Sequence, residues 1–286
     1  MALVSIKEEL ARARRDRFAI PLFDVFGTQG VEGLLEAAAE KSAPAIIAVY
    51  SPYAALPNGR AFASYIRCRA EESDVPLSLM LDHGASVEQC IEVISHGFTD
   101  VMYDGSSLPL AENIANTRRV VEAAHAAGVA VEAELGHVGM GDQYDSFGSQ
   151  RLGFTAPEDV ERFVAETGVD FLAIAFGNAH GLYKGTPSLD LELVAEIRRR
   201  VEVPLVMHGG TGVSDDQFRA AVHKGISKIN FATSIMNSAA DNMRAAAARP
   251  ESTMFDIEDG IRVAYRDWCS HLFDVFGTAG RASSGR

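Results

Sequence analysis

Leu77-Ser78-Leu79-Met80-Leu81-Asp82-His83-Gly84, a helical stretch from Val87 to Gly97, and Asp100-Val101-Met102-Tyr103-Asp104 form one strand–helix–strand unit. Each apolar strand run gives way to polar residues at its C-terminal side. Continuous apolar runs bounded by helices indicate a parallel sheet whose outer face is covered. The unit recurs at roughly 30-residue spacing, the size of one βα repeat with its loops. Further runs lie at Phe18 to Phe23, Ala45 to Tyr50, Val129 to Leu135, Phe171 to Phe176, Pro204 to Met207 and Lys228 to Phe231, which makes eight. Helical patterns separate them at Gly30 to Lys41, Leu110 to Ala127, Pro157 to Thr167, Leu191 to Val201 and Asp215 to Lys224. Eight such repeats predict an α/β fold closed as a (β/α)8 TIM barrel. The competing arrangement, an open doubly wound sheet, finds no GxGxxG after the first strand to support it.

The length of 286 residues, 47% hydrophobic and 23% charged, suits one large domain over 1–286. The barrel is expected at about 18–248, with a C-terminal helical extension at about 249–281. Met1 to Arg17 reads as an amphipathic helix capping the barrel floor, Thr233 to Ala248 and Asp256 to Phe276 as helices, and Ala282 to Arg286 as a disordered tail. A net charge of -13 argues against a nucleic-acid partner, because phosphate neutralisation needs clustered Lys and Arg. There is no signal-peptide pattern and no run approaching the ~20 apolar residues of a membrane span. Cys68, Cys90 and Cys269 are odd in number and widely spaced, which fits reduced thiols and a cytoplasmic location.

Three histidines stand at strand ends, each followed by glycine: His83, His180 in Ala179-His180-Gly181, and His208 in Met207-His208-Gly209-Gly210. Strand ends converge in this fold, so residues far apart in sequence can surround one ion. Three imidazoles with an open position describe a catalytic zinc site; a structural site would be closed by four protein ligands. The same face should receive Asp82, Asp104, Ser106, Ser107, Glu132 and Glu134. Neighbours on a strand point to opposite sides, so Asp82 and His83 can share the site only if the strand ends between them, which Gly84 would permit. The loops His208 to Val213 and Asn230 to Ser234 each lead into a helix. Such loops after strands seven and eight form the usual phosphate site of these barrels, since glycines admit the anion to backbone N–H groups and the helix dipole favours it. Gly136 to Phe154 is a long Gly-rich loop of the kind that often serves as a lid.

These segments, in this order, resemble the class II, zinc-dependent aldolases of the fructose-bisphosphate and tagatose-bisphosphate group. The likeness rests on Leu81 to Gly84, Gly97 to Ser106, Val131 to Gly136, Ala179 to Lys184 and His208 to Gly212, and runs from about Phe18 to Ser234. It implies that His83, His180 and His208 hold catalytic Zn2+ and that Asp82 is the acid/base at the C4 oxygen. Asp104 and Glu134 match positions for a second or alternative metal, and family members also admit a monovalent cation. Gly181, Gly209, Gly210, Thr211, Asn230, Ala232 and Thr233 match the dihydroxyacetone-phosphate site, and Lys184 matches a lysine near the phosphate. The implied partner is a small sugar phosphate, and the implied assembly is a homodimer or homotetramer. Cleaving the C3–C4 bond of a ketose leaves an enediolate, whose charge a metal stabilises as Lewis acid, so no Schiff-base lysine is required.

The departures concern the substrate. Asp142 occupies the place of the family's enediolate-side glutamate, with a shorter arm. Phe23-Asp24 replaces a Phe-Asn pair. Met254 to Glu258 stand where the family has an arginine for the distal phosphate. The far half of the substrate would then face Asp24, Gly27, Tyr50 and Ser51, which favours a ketose 1-phosphate without a second phosphate. Arg151, in the loop after strand five, is a candidate to restore anion binding. The alternatives are a fructose- or tagatose-1,6-bisphosphate aldolase proper, a metal-dependent hydrolase, or a non-catalytic sugar-phosphate-binding barrel. His96, His125, His223 and His271 fall on predicted helices as solvated or packed residues, whereas His137 lies close enough to Glu134 to approach the site.

Overall fold

The computed structural model describes residues 3–144 and 151–282. Eight parallel strands follow one another around a closed barrel: β1 (Ile20–Asp24), β2 (Ala45–Tyr50), β3 (Leu77–Gly84), β4 (Asp100–Tyr103), β5 (Ala130–Leu135), β6 (Phe171–Ile174), β7 (Leu205–Met207) and β8 (Ile226–Phe231). β1 closes the barrel on β8, with Ile20 opposite Lys228 and Leu22 opposite Asn230. The fold is the one expected from the repeat pattern.

Side chains alternate in direction along each strand, and the two faces collect different partners. Phe23, Ile47, Leu79 and Val131 point outward and pack with helix residues such as Leu34, Ile66 and Phe163. Leu22, Ile46, Met80, Phe171 and Val206 point into the lumen and pack with Ile6, Leu10 and Ala13. Higher on the same inward faces the apolar residues give way to Asp24, Asp82, Glu132, Glu134, His208, Lys228 and Asn230, all buried. The barrel therefore has an apolar floor and a polar mouth.

The N-terminal helix Lys7–Asp16 ends at Arg17 in the left-handed conformation (φ 58°) and seals that floor, as the sequence suggested. Asp100, at the start of β4, holds the segment in place. Its carboxylate accepts the Ser5 hydroxyl at 2.6 Å, the Ile6 N–H at 3.2 Å and the hydroxyls of Ser78 and Thr99. Burial pushes the Asp100 carboxyl up to about 6, against the pull of these hydrogen bonds towards the charged form.

Several boundaries differ from expectation for identifiable reasons. β1 begins at Ile20, because the N–H groups of Phe18 and Ala19 bond to Ala13 and Phe276 and not to a neighbouring strand. β6 ends at Ile174, because Ala175 and Phe176 donate their N–H groups to the side chains of Thr155 and Asn178. The C-terminal helix, Met254–Val275, starts two residues ahead of the expected Asp256, behind a capping box between Thr253 and Asp256. It packs on the helix Thr28–Glu40 so tightly that a Cβ on Gly33 would collide with the Arg262 carbonyl. Residues 145–150 of the predicted loop and 283–286 of the predicted tail lie outside the described residues. Among the described residues, no helix is long and apolar enough to cross a membrane.

Candidate active site

Asp82 and His83 both line the mouth of the barrel, although they are adjacent in sequence. The expected strand end between them is not the reason: β3 continues through Gly84. The register to β4 shifts between Leu81 and Gly84, and His83 takes a left-handed backbone with φ 51°. This bulge re-aims one side chain, so that consecutive residues face the same cavity. Such a conformation costs a non-glycine residue roughly 1–3 kcal/mol, a strain characteristic of functional sites. Gly84 must be glycine, because a Cβ there would strike the Met102 carbonyl and the Cys90 thiol.

The bulge brings His83 to His180 and His208, with ring centroids 4.8 and 4.6 Å away. One ligand atom each from His83, Glu134, His180 and His208 lies within 4.8 Å of the other three. Both outer imidazole nitrogens with observed partners face carboxylates. His83 Nδ1 donates to Asp104 Oδ2 at 2.8 Å, and His208 Nε2 donates to Glu132 Oε1 at 2.8 Å. Metal-ligating histidines are oriented in this way, with the other nitrogen left for the ion. The remaining nitrogens, His83 Nε2 and His208 Nδ1, stand 2.9 Å apart, within hydrogen-bonding distance. Asp104 is thus placed behind His83, outside the group of four.

The electrostatics fit a cation. Burial, then the charge on His83, holds His180 and His208 well below the usual imidazole range, which favours their neutral form. Burial opposes charge on His83 too, but Asp82, Asp104 and Glu134 outweigh it and push His83 up to about 10. Burial and Asp104 raise Glu134 to about 8, and its buried Oε2 has no hydrogen-bond partner. A divalent ion would satisfy these nitrogens and that oxygen together.

Beneath this group runs a buried chain of hydrogen bonds. Lys228 Nζ reaches Glu132 Oε2 at 2.8 Å and Asn230 Oδ1 at 2.7 Å, and the Asn230 amide donates to Asp82 Oδ1 at 2.8 Å. Lys228 was not expected here, and Glu132 had no assigned role. The available signal was period-two alternation, which puts Lys228 on the face of Asn230 and Glu132 on that of Glu134.

A cavity of about 680 Å3 opens above these residues. One side is formed by Gly181, Gly209, Gly210, Thr211, Ala232 and Thr233. Gly209 is left-handed (φ 72°) and passes so close to the Ala179 carbonyl that no side chain fits. The helix Thr233–Ala247 begins at this wall with no side-chain cap on Ala232, and Thr211 Oγ1 accepts its Ser234 N–H. Unfilled N–H groups at a helix start suit an anion. Tyr183 ties the two loops together, its hydroxyl accepting from Ala179 N and donating to the Gly209 carbonyl.

Several expected residues do not reach this lining. Lys184 and Asp142 are both exposed, Asp142 on the short 3-10 segment Gly141–Gln143. On the far side, Asp24 and Tyr50 line the cavity as expected, together with Phe26, Tyr53 and Ala85. Ser51 and Gly27 do not: the Ser51 hydroxyl donates to Gln89 Oε1 at 2.8 Å, and Gly27 caps the helix Thr28–Glu40. His137 reaches the lining and bonds Ser106 Oγ at 3.1 Å.

Comparison with known proteins agrees over nearly the whole length. The family model for class-II fructose-bisphosphate aldolase matches residues 4–281. A fructose-bisphosphate aldolase of Geobacillus stearothermophilus is 40% identical over 236 residues, 82% of this chain and 82% of that protein. A 6-phospho-5-dehydro-2-deoxy-D-gluconate aldolase of Bacillus subtilis (strain 168) is 36% identical over 290 residues, 99% of this chain and 98% of that protein. The crystal structure of the YdjI aldolase from Escherichia coli K12 superposes with a TM-score of 0.88 at 31% identity, covering 98% of this chain and 100% of that one.

Proposed function

The chain belongs to the class-II fructose-bisphosphate aldolase family and is a carbon–carbon lyase; on that premise we propose that it cleaves a ketose phosphate reversibly to dihydroxyacetone phosphate and an aldehyde, using zinc held by His83, His180 and His208. The observation that carries this reading is the convergence of three imidazoles and Glu134 beside Asp82, under a cavity walled by anion-binding loops. Family membership sets aside the hydrolase and non-catalytic readings. The relatives carry different substrate names at similar identity, so identity alone does not select the sugar.

Zinc at this site supplies Lewis acidity for the negative charge that develops as the C3–C4 bond breaks. The residues do the rest. Backbone N–H groups of Gly209 and the helix start at Thr233 hold the phosphate, with Thr211 fixing the wall. Asp82 takes the proton from the C4 hydroxyl in cleavage and returns it in condensation, while Asn230 fixes one of its oxygens. Asp104 and Glu132 hold His83 and His208 in register. Asp142 is the candidate base on the enediolate side, provided the 3-10 segment carries it over the cavity; unchanged proton exchange in Asp142→Ala would remove it. One catalytic domain over 1–286, a homodimer or homotetramer and a cytoplasmic location complete the proposal, the last supported by free thiols at Cys68, Cys90 and Cys269.

The test is release of dihydroxyacetone phosphate from a panel of ketose phosphates by zinc-loaded enzyme, with exchange of the C3 proton of dihydroxyacetone phosphate into D2O measured alongside. The reading requires both, and absence of both rejects it.

A further inference from the structure

The two ends of the cavity differ in charge. The wall formed by Gly209 and Thr233 presents backbone N–H groups. The opposite end, over β1, β2 and β3, presents Asp24, Asp82, Tyr50 and Tyr53. Among the described residues, no lysine or arginine lines the cavity at all. The nearby cations are engaged elsewhere. Lys228 is buried below, on Glu132 and Asn230. Arg151 pairs with Asp190 and lies over the Phe154 ring at 5.0 Å, and Lys184 is exposed away from the lining.

Asp24 is the unexplained group at that end. It is 5% exposed, and its Oδ1 is buried without a hydrogen-bond partner. Its backbone is fixed from outside, because the Tyr265 hydroxyl on the C-terminal helix donates to its carbonyl at 2.7 Å. Burial, then the nearby Asp82 carboxylate, holds its carboxyl well above the usual range. A buried polar atom left without a partner is costly, and in a binding pocket the missing donor is supplied by ligand. A second phosphate fits poorly: in its dianionic form it brings no donor to Oδ1, and it would stand beside the Asp82 carboxylate with no lining cation to offset it. A hydroxyl group supplies the donor.

We propose that Asp24 determines specificity on the aldehyde side, and that the cavity takes a ketose 1-phosphate whose far half ends in free hydroxyls, one of which donates to Asp24. The inference rests on the aldol cleavage proposed above and adds the chemistry of the aldehyde. Tyr50 and Tyr53, 40% and 39% exposed, place two phenols at the rim for further hydroxyls of a neutral polyol chain.

The experiment compares kcat/KM of the zinc-loaded enzyme, in its native assembly, for fructose, tagatose and sorbose 1-phosphates against the matching 1,6-bisphosphates. The best 1-phosphate should exceed the best bisphosphate by about tenfold or more, and Asp24→Asn, which can donate to a phosphate, should cut that ratio by about tenfold. A bisphosphate used equally well or better overturns the proposal, including the case where a neighbouring subunit brings the missing cation. An unchanged ratio in Asp24→Asn overturns the role of that residue. Proton exchange into dihydroxyacetone phosphate, which does not involve the aldehyde half, separates the two levels. Exchange with bisphosphate preference defeats this inference alone, and loss of exchange defeats the aldol reading and this inference with it.

Discussion

Asp82, Asn230, Lys228, Glu132, His208 and His83 form one continuous hydrogen-bonded path across the barrel mouth, so a change at either end is felt along it. Asp82→Ala removes the group proposed to move the C4 proton and should lower turnover by roughly 10²–10⁴-fold while zinc content stays intact. Turnover within a few-fold of wild type would show that another group does this work. His208→Ala should abolish bound metal in elemental analysis. Lys228→Met leaves Glu132 buried and uncompensated, which should cost about 3–5 kcal/mol in urea unfolding; a loss below about 1 kcal/mol would mean that Glu132 is not charged there. His83, His180, His208, Asp82 and the loop glycines were legible because residue type and strand-end position coincide. Glu132 was placed on the site face without a role and Lys228 was hidden inside a strand read as apolar core, because their partnership exists only once β5 and β8 face each other across the lumen. The bulge at His83 was also out of reach, since a left-handed backbone at a non-glycine residue leaves no mark in residue type.

At the scale of elements, the N-terminal helix and Asp100 make a testable unit. The folded-state pKa of Asp100 is raised to about 6 by burial. The native state therefore holds this proton more tightly than the unfolded chain does, so the group's contribution to stability falls as pH rises from about 4 to about 6. The loss amounts to about 3 kcal/mol at most. Asp100→Asn should flatten that part of the pH profile of unfolding relative to wild type; parallel profiles would show that the carboxyl is not buried as described. Leu10→Ala, which empties part of the floor, should cost about 2–5 kcal/mol without changing zinc content. Strand identities and most helix identities were readable because apolar period and length agree, whereas the helix Gly59–Glu71 between β2 and β3 was not named. Ends were less so, because β1 and β6 stop where backbone N–H groups find carbonyl or side-chain partners outside the sheet.

For the whole molecule, the barrel separates stability from chemistry along its axis. The floor is apolar and closed by the N-terminal helix, while the mouth gathers the histidines, acids and Gly-rich loops from seven different strands. The net charge of -13 does not prevent binding of a sugar phosphate, because the proposed phosphate wall would use backbone N–H groups and needs no basic patch. The most direct measurement of the central claim is release of dihydroxyacetone phosphate by enzyme stripped with a chelator and then restored with zinc. The account predicts that stripped enzyme is inactive and that activity returns in proportion to zinc bound, up to one ion per chain. Full activity in the stripped enzyme would contradict it.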